Sequence, residues 1–170
     1  LCSGRRFHPW SPQAEDIHIE DIAGALSKLC RFNGHCLEFY SVAEHSVHTS
    51  YQVPAELALC ALLHDATEAY IGDLITPIKK NIPAFEEVES IVWLAIAARF
   101  NLPWILPPEV YAADRTMLLI EARDLLHPVG EPKPWGHANP PITPVTLGNW
   151  TARVAEEKFL SRFHELVQTG

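Results

Sequence analysis

His64 and Asp65 are adjacent, and the seven residues before them, LALCALL at 57–63, form a continuous apolar run. Burying an unpaired carboxylate in such surroundings is costly, whereas neutral imidazole and ionised carboxylate are natural ligands of first-row divalent metals. The pair is therefore a candidate metal site. On a helix, Glu68 follows His64 by four residues and Asp65 by three, so its side chain emerges on nearly the same face one turn on. Gly72 is placed to end that helix and Pro77 to prevent its continuation, which leaves Asp73 as a further acid near the helix mouth.

The elements that must hold these groups read as helices. Residues 1–17 are irregular, broken by Gly4, Pro9 and Pro12, with Phe7 and Trp10 folding back as a lining. Ile22, Ala25, Leu26 and Leu29 recur at helical spacing before an Asn33-Gly34 turn. Ser41-Val-Ala-Glu44 has the pattern of a capping box, so a helix opens at Ser41 with His45 in its first turn and His48 one turn later. One helix is expected from Pro54 through the His-Asp pair to about Tyr70, another over 85–100, and a third from Pro108 to about Leu126 with Asp114 in its interior. Residues 127–148 hold six of the fourteen prolines and three glycines, which predicts a long loop of the kind that serves as a lid or binding loop. A closing helix is expected over about 150–167. No repeat and no strand pair is evident, so the fold class expected is all-α, a single-domain helical bundle of five to seven helices spanning 1–170 with its core at about 19–126.

Bulk properties narrow the function. At 170 residues and 48% hydrophobic content, the chain suits one compact core. No stretch approaches the run of about 20 apolar residues that a membrane helix needs, and no signal-peptide pattern opens the sequence, so a cytoplasmic protein without membrane partners is expected. The net charge of −8 argues against a nucleic-acid-binding surface. A small anionic ligand needs only a few cations, and Arg5, Arg6, Arg31, Lys79 and Lys80 flank the acidic turn, Lys79 most directly. Cys2, Cys30, Cys36 and Cys60 form no C-x-x-C pair and suit reduced thiols. His35 and His48 read as supporting residues, the other histidines as surface, and Trp93, Trp104 and Trp150 as core or core-edge aromatics.

A histidine on one helix, a His-Asp pair on the next and an aspartate on a later helix is the ligand order of the HD-domain metal-dependent phosphohydrolases, which this chain resembles. The segments AEHSVHTS, LLHDATEAYIGDLITPIK and YAADRTMLLIEARDLL are similar to those of the bacterial 5′-deoxynucleotidases, and SGRRFHPWSP with the stretch up to YSVAEHS is similar to small bacterial and phage HD proteins, some of them dNTP triphosphohydrolases. The resemblance implies an HD-type helical fold and one divalent ion, of manganese, cobalt, zinc, iron or magnesium, held by His45, His64, Asp65 and Asp114. It implies Glu68 as the catalytic acid and Asp73 as the acid shaping the site beyond the metal. Arg31 and Phe32 stand where the deoxynucleotidases carry an arginine and an aromatic residue in the substrate pocket; Phe in place of Trp keeps stacking and removes an indole donor. A homo-oligomer is a further expectation of the resemblance.

Two imidazoles and two carboxylates leave open positions on an octahedral ion, where water and a phosphate oxygen can bind together. Positioning and charge neutralisation supply most of the catalysis of phosphoryl transfer, so Arg31 and Lys79 suffice beside the metal. The expected activity is hydrolysis of deoxynucleotide phosphates, from a monophosphate or a triphosphate. The alternatives are an HD-type phosphodiesterase for cyclic nucleotides or nucleic acid, and a non-catalytic metal- or nucleotide-binding sensor. The acidic charge and the single His-Asp set weigh against the first, Glu68 and Asp73 against the second.

Overall fold

The computed structural model describes residues 1–126 and 140–169, and among these the regular structure is helical apart from one isolated antiparallel bridge between Cys30 and Ser41. The α-helical segments are α1 (Ile19–Leu26), α2 (Val42–Ser50), α3 (Ala58–Leu63), α4 (Glu68–Ile71), α5 (Thr76–Lys79), α6 (Pro83–Phe100), α7 (Pro108–Leu125) and α8 (Ala152–Thr169). Two of them, α4 and α5, are single turns, and the six longer ones fall within the expected five to seven. No helix among the described residues is long and apolar enough to cross a membrane.

Helix α2 is the centre of the bundle and packs against α1, α3, α7 and α8. Eight of its nine residues are buried, polar ones included, so most of its polar groups must find partners. Most do, although Ser46 Oγ and His48 Nε2 are buried without a hydrogen-bond partner among the described residues. The Ser41 side chain accepts the Glu44 N–H at 3.1 Å, a cap of the kind worth about 1 kcal/mol. The Glu44 carboxylate, fully buried, accepts the backbone N–H of Gly148 at 2.6 Å and of Trp150 at 2.7 Å, which ties the approach to α8 onto α2. Ser50 Oγ donates to Val47 O and accepts from Arg162 Nε of α8. Around this helix lie fully buried Leu26, Leu62, Leu63, Ile96 and Phe159, drawn from α1, α3, α6 and α8.

The expected single helix from Pro54 to Tyr70 is instead interrupted. A 3-10 turn at Ala55–Leu57 leads into α3, and residues 64–67 are turns before α4 begins at Glu68. The backbone tightens there to i to i+3 bonds, Ala66 N–H to Leu63 O at 3.0 Å and Glu68 N–H to Asp65 O at 3.0 Å. A side chain contributes to the break: the carbonyl of Ala61, which an unbroken helix would offer to the Asp65 N–H, accepts from His64 Nδ1 at 2.8 Å. Gly72 ends α4 as expected, at a φ of 76° that an L side chain rarely adopts, with its N–H returned to Glu68 O. Pro77 then falls in the first turn of α5, where its missing N–H costs nothing.

The N-terminal segment folds back as expected for Phe7, whose ring lies 4.2 Å from that of Tyr70, whereas Trp10 is exposed. Trp93 is core and Trp150 packs against the core, but Trp104 is 75% exposed, contrary to its reading as a core or core-edge residue. The loop expected over 127–148 falls in its first thirteen residues outside the described ones; 140–148 is irregular.

Candidate metal centre

His45 is carried on α2, His64 and Asp65 on the turn after α3, and Asp114 on α7, and the packing of those elements brings their side chains to one point. His45 Nε2 lies 3.3 Å from His64 Nε2 and 3.2 Å from Asp114 Oδ1, and His64 Nε2 lies 3.9 Å from the same oxygen. Asp65 Oδ2 is 3.3 Å from His64 Nε2 and 3.7 Å from His45 Nε2. Among the described residues, His45, His64 and Asp114 form the group with donor atoms all within 4.8 Å of one another, and Asp65 stands at its edge.

The orientation of the two imidazoles is set from behind. His64 Nδ1 donates to the Ala61 carbonyl, which cannot itself donate, so Nε2 is the nitrogen left facing inward. His45 Nδ1 makes a 2.6 Å hydrogen bond to Glu121 Oε1, and Glu121, wholly buried, is held ionised at about 2 against burial by the charges of His45 and Arg31. A carboxylate behind the distal nitrogen is the usual way a metal-ligating histidine is fixed. Two bare Nε2 lone pairs and two carboxylates therefore confront one another at 3.2 to 3.9 Å, an arrangement that repels itself unless positive charge lies between. A divalent cation fits this donor set. Without one, protons take its place: burial and Arg31 act to keep His45 neutral, yet Glu121 and Asp114 prevail and lift it to about 9. Asp114 is pushed far below the ordinary carboxylate range despite burial, by hydrogen bonds from both imidazoles.

Glu121 is a residue of the candidate site that the sequence does not single out. It lies seven residues, two turns, after Asp114 on α7 and interrupts the apolar run 117–122, the same kind of signal that singled out Asp65. Its second oxygen accepts from Arg31, Nε at 3.1 Å and Nη2 at 3.0 Å, while Arg31 Nη1 lies 3.6 Å from Asp65. Arg31 is thus brought to the site, engaged from beneath by Glu121. Phe32 adjoins it, the guanidinium carbon 5.8 Å from its ring centre, with Phe32 and Asn33 both in left-handed backbone at φ 54° and 51°. The base of this loop is pinned by Arg31 N–H to Tyr40 O and Val42 N–H to Leu29 O.

Glu68 is close enough to Asp65, Asp73, Arg31 and His45 to feel their charges, and burial, then Asp65 and Asp73, raise its carboxyl well above the usual range. Asp73 sits at the exposed rim; partial burial and Asp65 raise it, with Arg31 and Lys79 opposing. Lys79 is bound to Glu89 of α6 at 2.5 Å. A cleft of about 420 Å3 is lined by His64, Asp65, Asp114, Lys79 and Glu89 together with the apolar Trp93, Leu94, Trp104, Ile105, Leu106 and Tyr111.

Comparison with known proteins agrees with this architecture. The family described as 5′-deoxynucleotidase YfbR-like matches residues 34–124, more than half of the chain, from before α2 to the last turn of α7. The uncharacterized protein YfdR of Escherichia coli is 44% identical over 123 residues, which cover 72% of this chain and 69% of that protein. An uncharacterized protein of Rhodobacter capsulatus is 37% identical over 133 residues, covering 72% of this chain and 68% of its own. With the helical bundle and the His45, His64 and Asp114 cluster, these matches establish that the chain belongs to the YfbR-like 5′-deoxynucleotidase family of HD-domain phosphohydrolases.

Proposed function

We propose that this protein is a metal-dependent phosphohydrolase of deoxynucleoside monophosphates, with His45, His64, Asp65 and Asp114 as the ligands of one divalent ion. The observation that carries the reading is the convergence of two Nε2 atoms, each with its Nδ1 occupied, on the carboxylates of Asp65 and Asp114 at the head of the cleft. When bound, the ion supplies Lewis acidity, acidifying water and drawing charge from a phosphoryl oxygen.

The chain's own residues do the rest. Glu121 and the Ala61 carbonyl hold the imidazoles in the tautomer whose Nε2 faces the site. Glu68, with its raised affinity for a proton, passes that proton to the departing 5′ oxygen of the nucleoside. Asp73, at the rim, accepts a hydrogen bond from the sugar or orients the attacking water. Arg31 lies against the carboxylates of Asp65 and Glu121, with Phe32 beside it, and Lys79 lines the cleft.

Charge favours the monophosphate over the triphosphate. Among the described residues lining the cleft, Lys79 is the one ammonium or guanidinium and is already paired with Glu89, while Asp65, Glu89 and Asp114 supply three carboxylates. One phosphate can be neutralised by the ion; a triphosphate would place further negative charge against those acids with little to offset it. The test is turnover by metal-stripped protein resupplied with manganese, cobalt, zinc, iron or magnesium. Release of inorganic phosphate from deoxynucleoside monophosphates is expected. Release of tripolyphosphate from dNTPs would replace the monophosphate reading, turnover of cyclic dinucleotides would favour a phosphodiesterase, and metal binding with no turnover would favour a sensor.

A further inference from the structure

We infer that Trp104 is a stacking platform for the base of the nucleotide, so that the nucleoside lies along the α6–α7 wall of the cleft rather than over Phe32. The inference rests on the nucleotide reading above for its ligand class. Its structural ground is a tryptophan 75% exposed, on the connection between α6 and α7, that lines the same cleft as Asp65 and Asp114.

Exposure of so large an apolar ring is unfavourable in water, and here the ring is not on a loose tether. Asn101 ends α6 in left-handed backbone at φ 54°, Leu102 N–H returns to Ala97 O at 2.9 Å, and Trp93 Nε1, from inside α6, donates to the Trp104 carbonyl at 3.0 Å. The backbone that carries the indole is thus anchored to the core. Tyr111, 56% exposed on α7, lines the same wall. The cleft thus combines carboxylates and an imidazole with aromatic and aliphatic surface, which matches a ligand that carries both an anionic group and a flat, weakly polar ring. A volume of about 420 Å3 lies in the range of small-molecule sites. The Arg31 guanidinium, which does not line this cleft, is engaged by Glu121 and Asp65.

The test compares Trp104→Ala and Trp104→Phe with wild type on a deoxynucleoside 5′-monophosphate and on deoxyribose 5-phosphate, which keeps the sugar and phosphate and lacks the base. Loss of one aromatic–base stack predicts a fall of roughly 5- to 150-fold in kcat/KM for the nucleotide with Trp104→Ala, little change with Trp104→Phe, and rates within about two-fold on the sugar phosphate for both. A second readout needs no turnover: quenching of tryptophan fluorescence by a free deoxynucleoside should be present in wild type and lost in Trp104→Ala. Equal effects on the two substrates, or no effect on either, overturn the inference. So does a change of sedimentation coefficient in Trp104→Ala with base dependence intact, which would make this wall a contact between copies of the chain. If wild type hydrolyses neither compound, the hydrolase reading fails alone; Trp104-dependent quenching then still supports the platform, and its absence overturns that too.

Discussion

Replacing Glu121 by Gln removes one charge from the buried support of the candidate metal centre while leaving its shape, and the structure sets the size of the effect. Glu121 divides its oxygens between two sets of donors, His45 Nδ1 on one and Arg31 Nε and Nη2 on the other. A carboxamide has one acceptor and one NH2 group, so it must aim donors at either His45 or Arg31. If it faces His45, the imidazole satisfies it only by accepting at Nδ1, which moves the ring proton to Nε2 and spoils that nitrogen as a ligand. If it faces Arg31, a buried guanidinium loses the oxygen that accepts from both its Nε and its Nη2. The carboxyl of Glu121 is held at about 2 against an ordinary 4.5, and that depression is worth about 3 kcal/mol. Because the folded-state value is the lower one, this stability is present above pH 4.5 and is lost as pH falls toward 2. Glu121→Gln should therefore lower the stability of the metal-stripped protein at pH 7 by about 3 kcal/mol, a fall in Tm of roughly 6 to 12 °C for a domain of this size, and should flatten its acid unfolding. Its affinity for manganese or cobalt, measured by chelator competition, should fall about 10- to 100-fold. A variant that melts with wild type at pH 7 and binds metal equally well would refute the argument from Glu121 to the tautomer of His45.

Three further outcomes are expected. Glu68→Gln should lower kcat by about 10²- to 10⁴-fold while metal stoichiometry by elemental analysis stays at the wild-type value; a variant that also loses the ion would make Glu68 a ligand rather than a proton donor. Burial pushes the Cys60 thiol up to about 11, so iodoacetamide at pH 8 should label exposed Cys2 and spare Cys60 until the protein unfolds, as peptide mapping can show; rapid native labelling of Cys60 would contradict its packing. Gly72→Ala meets no atom within 4 Å and incurs only the strain of a φ of 76°, so urea melts should show a loss of about 1 to 2 kcal/mol. A much larger loss would mean that the turn carrying Asp73 is held by more than its backbone angle.

Local signals survive translation into structure better than distant ones. The Ser41 cap and the Gly72 stop depend on neighbours within a turn or two, and each stands where the sequence puts it. The break of the helix at His64 arises from a side chain that takes a backbone acceptor, a competition that apolar periodicity does not register. Arg31 and Glu121 are ninety residues apart, and nothing in the pattern around either names the other. The same holds for Lys79, whose position after the acidic turn suggested a phosphate contact and whose charge is engaged by Glu89 of another helix. Trp104 looked like core because tryptophan is apolar and usually well buried; what exposes it is the packing of α6 and α7 around a cleft, which is a property of tertiary structure.

On this reading, side chains from three separated segments grip one cation. Crystals grown with cobalt or manganese and measured at that element's absorption edge test it most directly. A single anomalous peak at about 2 Å from the Nε2 atoms of His45 and His64, in contact with Asp65 and Asp114 oxygens and lost in Asp114→Ala, is the expected result. A fully loaded protein whose peak lies elsewhere, or one that binds no divalent ion while His45, His64 and Asp114 remain clustered, would contradict it.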